Sequence, residues 1–153
     1  MNRLLDIAAR IRRRLYGLLR LRTRGVKVML FGSKGRLLLI RHNYGDRKSW
    51  LLPGGGVRPW EEPEKAAIRE LREELGVTAK RLKLLATYYS EAEGKRDTIH
   101  LFEAHCPGEV TPDNWEVAEA RWADPAALPG QTSAATRRRV AEWRGERKRD
   151  GTW

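Results

Sequence analysis

Glu70, Glu73 and Glu74 fall at i, i+3 and i+4 within Arg69-Glu70-Leu71-Arg72-Glu73-Glu74. A helix with this spacing carries all three carboxylates on one face. Like charges that close repel, and a hard divalent cation removes the repulsion. Mg²⁺ takes oxygen ligands from carboxylates and from substrate phosphates. The pattern therefore points to metal-assisted chemistry on a phosphorylated substrate, with Mg²⁺ as the expected cofactor and Mn²⁺ as a substitute. The single cysteine and three histidines form no cluster that would favour zinc. A solvated helix with ion pairs from Glu61 to Lys65 and from Arg69 to Glu73 would explain helicity. It would not explain the glycines at fixed offsets, Gly55 before the acids and Gly76 after them.

The elements around these acids follow from periodicity and punctuation. A helix is expected over Glu62–Leu75, with Pro63 in its first turn and Gly76 as its stop. Ala67, Ile68, Leu71 and Leu75 would face the core, with the carboxylates opposite and the small Ala66 beside them. Upstream, Val26–Phe31 and Arg36–Arg41 read as strands around the turn Gly32–Gly35. The polar loop His42–Ser49 then leads to a third strand at Trp50 and on to Gly54-Gly55-Gly56, where the backbone is free to approach other groups closely. Downstream, Leu82–Ser90, Thr98–His105 and Ala118–Ala123 read as strands. Asp124 caps a short helical turn, and Ser133–Arg147 forms a last helix. Trp50, Tyr88 and Tyr89 read as core, and His100, alternating with apolar neighbours in a strand, as no ligand. The order β-β-β-α-β-β-β-α suits a mixed sheet covered by helices.

Residues 2–22 form an expected amphipathic helix with Leu4, Ala8, Ile11, Leu15 and Leu18 in one stripe. Residues 1–24 are thus read as a basic helix ahead of one domain, 25–153. The net charge of +11 sits on the arms, with nine Arg/Lys against one Asp in residues 1–27 and seven against three acids in residues 133–153. Such arms suit an anionic partner, nucleic acid or an anionic membrane surface, while the apolar stripe suits a homodimer contact. Packing, either on the chain's own domain or across a dimer, is the leading use of the apolar stripe. No apolar run approaches the ~20 residues that span a bilayer, arginines interrupt any signal-like stretch, and Cys106 is a lone core thiol. These features suit a reducing, cytoplasmic setting.

The segment 55–77 resembles the Nudix box at every defining position: Gly55, Glu61, Arg69, Glu70, Leu71, Glu73, Glu74, Gly76 and Val77. The resemblance implies the Nudix α/β/α sandwich, with the basic N-terminal helix as an addition. It implies a pyrophosphohydrolase in which Glu73 and Glu74 bind metal, and Glu70 is a third ligand or the base. Arg69 would orient Glu73, and Gly54 would offer its carbonyl to the metal. A further acid often comes from a later loop. Glu116 is the candidate and Glu119 its competitor, which otherwise forms a surface pair with Arg121. Arg41, Tyr44 and Arg47 are candidates for substrate binding, through phosphate and base contacts. The expected reaction is hydrolysis of a pyrophosphate bond in a nucleoside diphosphate linked to another moiety, ADP-ribose or a related nucleotide. The alternatives are an enzyme acting on the 5′ end of RNA and a non-catalytic nucleotide sensor.

Overall fold

The structure is a computed structural model and describes residues 22–91 and 96–153. The expected helix over residues 2–22 lies outside the described residues, apart from Arg22, which opens a strand instead. Strand β1 runs Arg22–Phe31, β2 Leu37–His42, β3 Lys83–Ser90, β4 Arg96–His105 and β5 Val117–Ala123. Helix α1 spans Pro63–Leu75 and α2 spans Ala134–Trp143. β1 begins before the apolar run because its polar end is held by a parallel ladder with β4, from Arg22–Arg96 to Phe31–His105. Backbone pairing there needs no apolar side chains.

The five strands form one sheet in the order β3-β4-β1-β2-β5. β1 and β4 are parallel, and the other neighbours are antiparallel. The expected third strand is reduced to isolated bridges, Ile40 with Leu51 and Trp50 with Thr132. Pro53 has no amide hydrogen to continue such a ladder. Asp124 closes a turn by accepting from Ala126 N rather than starting a helix. α2 stops at Trp143, four residues short of Arg147, and Gly145 follows with φ +76°.

Alternation along β1 sends Val26, Val28 and Leu30 to one face, where they pack with Leu38, Ile40, Ala66, Ala67, Leu71 and Leu75. Met29 and Phe31 go to the other face with Leu37, Leu39, Trp50, Tyr88 and Val140. The sheet is therefore covered by α1 on one side and α2 on the other. Ala66 is fully buried in this core while Ile68 is half-buried, so the buried stripe of α1 is rotated toward Ala66. Tyr89 points outward at 63% exposure, since its neighbour Tyr88 takes the inward position. Cys106 is half-buried against the α1-side core.

A polar network ties α2 and the chain's end to β3. The Tyr88 hydroxyl donates to Glu142 at 2.6 Å. Arg139 donates to the other Glu142 oxygen at 2.8 Å and to the Thr152 carbonyl at 2.7 Å, while its guanidinium lies over the Tyr88 ring. Backbone bonds from Tyr89 N to Gly151 O and from Trp153 N to Tyr89 O cover the edge of β3.

Candidate active site

The glycine loop is set by two backbone bonds to β1, Val28 N to Pro53 O and Val26 N to Gly55 O, both 2.9 Å. Gly54 between them has φ +130°, and a Cβ there would lie 2.2 Å from Val26 O. Only glycine meets that demand. A Cβ on Gly55 would lie 2.6 Å from the Glu70 carboxyl carbon. The missing side chain is the space that the Glu70 carboxylate fills.

Arg69 organises the acids. Its Nε and Nη2 donate to Glu61 at 2.9 and 3.0 Å, its Nη1 to Glu70 at 2.7 Å and to Glu73 at 3.1 Å, and Nη2 also reaches the Gly56 carbonyl at 2.9 Å. One guanidinium thus holds three carboxylates and the loop in register, as its planar fork of donors allows. It holds Glu61 well below the usual carboxylate range, at about 2, chiefly through their hydrogen bonds. Of the two ion pairs that the sequence suggested, Arg69 with Glu73 forms.

Glu74 differs from its neighbours. It lies on the core side of α1, only 3% exposed, and accepts from Gly54 N at 2.8 Å. Burial pushes its carboxyl up to about 7, against the pull of Lys27 and the Gly54 amide. The negative charges of Glu70 and Glu116 push it further in the same direction. Glu116 therefore reaches the acidic set electrostatically from its loop. Glu119 instead pairs with Arg41 at 3.1 Å, not with Arg121, because β2 and β5 set Arg41 opposite Glu119.

Lys27 is a site residue that sequence reasoning passed over. Its Nζ donates to the carbonyls of Leu52 and Gly54 at 3.0 and 3.1 Å. Burial lowers its pKa, and the charges of Glu74 and Glu70 oppose that. The signal was present, since Lys27 is a lone charge inside the apolar run Val26–Phe31. His42 lies beyond it, held down at about 4 by burial and then by the Lys27 charge. The His42 ring stacks on Tyr44, with centroids 5.1 Å apart.

The candidate substrate residues do not share one environment. Arg41 lies over the Trp50 ring at 4.2 Å and bonds Glu119 and Gln131. Tyr44 and Arg47 belong to the loop between β2 and the glycines, with Arg47 exposed. His100 meets Thr87 Oγ1 at 3.2 Å, as a strand residue satisfied within the sheet.

Among the described residues no three His, Cys, Asp or Glu side chains converge as a ready metal cage. The reason is local. Arg69 takes oxygens of Glu70 and Glu73, and Glu74 is turned to the Gly54 amide. The donor set still fits a hard divalent cation: four carboxylates, of which Glu70, Glu74 and Glu116 share one field, beside a glycine carbonyl with a second lone pair.

Residues 21–144 match the NUDIX domain, so the chain belongs to that family. It is an enzyme, a pyrophosphohydrolase of the Nudix type. Enzymes of this family generally depend on a divalent metal and act on small nucleotide substrates. The chain is 33% identical over 108 residues to a Bacillus subtilis protein described as "Putative 8-oxo-dGTP diphosphatase", covering 70% of each. It is 44% identical over 62 residues to mouse diphosphoinositol polyphosphate phosphohydrolase 3-alpha, covering 40% of this chain and 37% of that one. It also resembles the MutT Nudix hydrolase of Burkholderia pseudomallei, with a TM-score of 0.69 and 29% identity, over 78% of this chain and 96% of the other. The MutT protein of Methanosarcina mazei shares the fold at a TM-score of 0.72 and 24% identity, over 84% and 96% of the two chains. No helix among the described residues is long and apolar enough to cross a membrane.

Proposed function

We propose that the protein is a Mg²⁺-dependent hydrolase that cleaves the pyrophosphate bond of a nucleoside diphosphate linked to another group. The observation that carries this reading is the Arg69 clamp, which holds Glu61, Glu70 and Glu73 together beneath the glycine loop. Glu70, Glu73, Glu74, Glu116 and the Gly54 carbonyl would hold the cation, with Mn²⁺ able to replace Mg²⁺. When bound, the metal neutralises phosphoryl charge and lowers the pKa of water. Glu70, as a third ligand or as the base, and Glu116 are the candidates to accept the proton of the attacking water. Arg69 holds one Glu70 oxygen at 2.7 Å, so this candidate proton acceptor is positioned before substrate arrives. Lys27 draws Leu52 and Gly54 together and so sets the loop against the acids.

A nucleoside triphosphate substrate is a second reading, favoured by the Bacillus subtilis relative with 70% mutual coverage. A third rests on the 62 residues, 42% identical, shared with the RNA pyrophosphohydrolase of Proteus mirabilis. The test is a Mg²⁺-dependent screen of ADP-ribose, dinucleoside polyphosphates, 8-oxo-dGTP and 5′-triphosphorylated RNA, with products identified. Release of two nucleoside or sugar phosphates from ADP-ribose-like compounds supports the first reading. Turnover confined to triphosphates or RNA overturns it, and full activity after exhaustive chelation overturns the metal assignment.

A further inference from the structure

Beside the glycine loop the sheet and loop enclose an open groove of about 700 Å³, within the range of small-molecule sites. Its floor is the start of β1 and β4, around Gly25 and Ile99, and its wall is Gly55–Pro59. It adjoins the acidic site, since Gly55 lines the groove and a Cβ built on Gly55 would meet the Glu70 carboxylate. Its lining includes four cations, Arg22, Arg24, Lys27 and Arg58, against one acid, Asp97.

These cations are not equivalent. Lys27 is committed to the Leu52 and Gly54 carbonyls, and Arg58 reaches Glu73 at 3.7 Å. Arg24 is held over the loop by the carbonyls of Arg58 and Glu61, at 3.4 and 3.3 Å, which orient its guanidinium without neutralising it. Among the described residues neither Arg22 nor Arg24 pairs with a carboxylate within 4 Å. Both lie two residues apart on one strand and line the groove that adjoins Gly55. An anion with several oxygens is the ligand that such guanidiniums recognise.

We propose that this groove binds a second phosphate group of the substrate, apart from the pyrophosphate that is cleaved, with Arg22 and Arg24 as its ligands. This deepens the reading of the reaction given above and rests on it. It names the substrate class as nucleotides whose non-reacting end carries a phosphate monoester. A small molecule fits better than a polymer. Asp97, on β4, is the one acid in the lining, so a polyanion continuing through the groove meets a carboxylate.

The experiment compares ADP-ribose with its 2′-phosphate, both by kcat/KM with Mg²⁺ and by calorimetric affinity without turnover, in the wild-type chain and in R22Q/R24Q. Both arginines are exposed, so the variant should fold, and circular dichroism checks it. The expected result is about a tenfold preference for the phosphorylated compound, falling to near unity in the variant and recovering in part with R22K/R24K. Absence of turnover for both compounds refutes the reading of the reaction, while the affinity ratio still judges the groove. An affinity ratio near unity in the wild type, or one that survives R22Q/R24Q, overturns the proposal. So does tighter binding of a 5′-triphosphorylated RNA oligonucleotide that depends on both arginines and falls steeply with salt.

Discussion

Adding one methyl group at each of three consecutive glycines should give three different phenotypes. At Gly55 a Cβ lies 2.6 Å from the carboxyl carbon and one oxygen of Glu70, and 2.7 Å from the other oxygen. Ordinary contact begins near 3.4 Å, so the carboxylate must retreat by roughly 0.8 Å. It is the far end of a flexible side chain, so it can move at small cost in stability. Retreat breaks its 2.7 Å bond from Arg69 and shifts the proposed proton acceptor. Misplacement by about 1 Å costs on the order of 100-fold in rate. Gly55→Ala should therefore lose about 100-fold in kcat and about 1 kcal/mol or less in stability. At Gly54 the obstacle is the Val26 backbone oxygen at 2.2 Å, fixed in β1, and φ is +130°. Gly54→Ala should cost about 3 kcal/mol or more or fail to fold. At Gly56 nothing lies within 4 Å, so Gly56→Ala should melt and turn over like the wild type. Urea unfolding and steady-state rates on the substrate found by the screen read all three. Wild-type kcat in Gly55→Ala, or equal damage at Gly56, would refute the placement of Glu70.

Glu116→Gln should slow catalysis more than Glu119→Gln, because Glu116 shares the field of Glu74 whereas Glu119 is spent on Arg41; single-turnover rates decide, and the reverse order overturns the choice. Tyr88→Phe should destabilise the fold by about 1–3 kcal/mol in urea, since it leaves a buried Glu142 oxygen without its 2.6 Å donor, and activity per folded molecule should hold. Glu61 is held at about 2, below its ordinary 4.5, so its contribution to stability is complete above about pH 4.5 and is lost as pH falls toward 2. The stability gap between the wild type and Glu61→Gln should close over that window in urea titrations, and a gap that stays constant would show that the Arg69 bonds do not set it.

How much of this was legible in the sequence differs by residue. The box glycines, the three acids at i, i+3 and i+4, and the capped helix around them are local patterns, and local patterns survive into the fold because helical geometry depends on near neighbours. The sequence also determined the alternation that divides β1 between two cores, though not where that strand begins, since its first residues are held by β4 rather than by apolar burial. What only tertiary structure decided concerns groups far apart in the chain. Lys27 meets Gly54 across 27 positions, Arg41 meets Glu119 across 78, and the edge of β3 is covered by residues 151–153. Glu74 is one residue from Glu73 yet buried, because the rotation of α1 against the sheet, not its periodicity alone, determines which carboxylate loses its water. The three glycines read alike in sequence, and their different roles arise from which atom stands where each missing side chain would be.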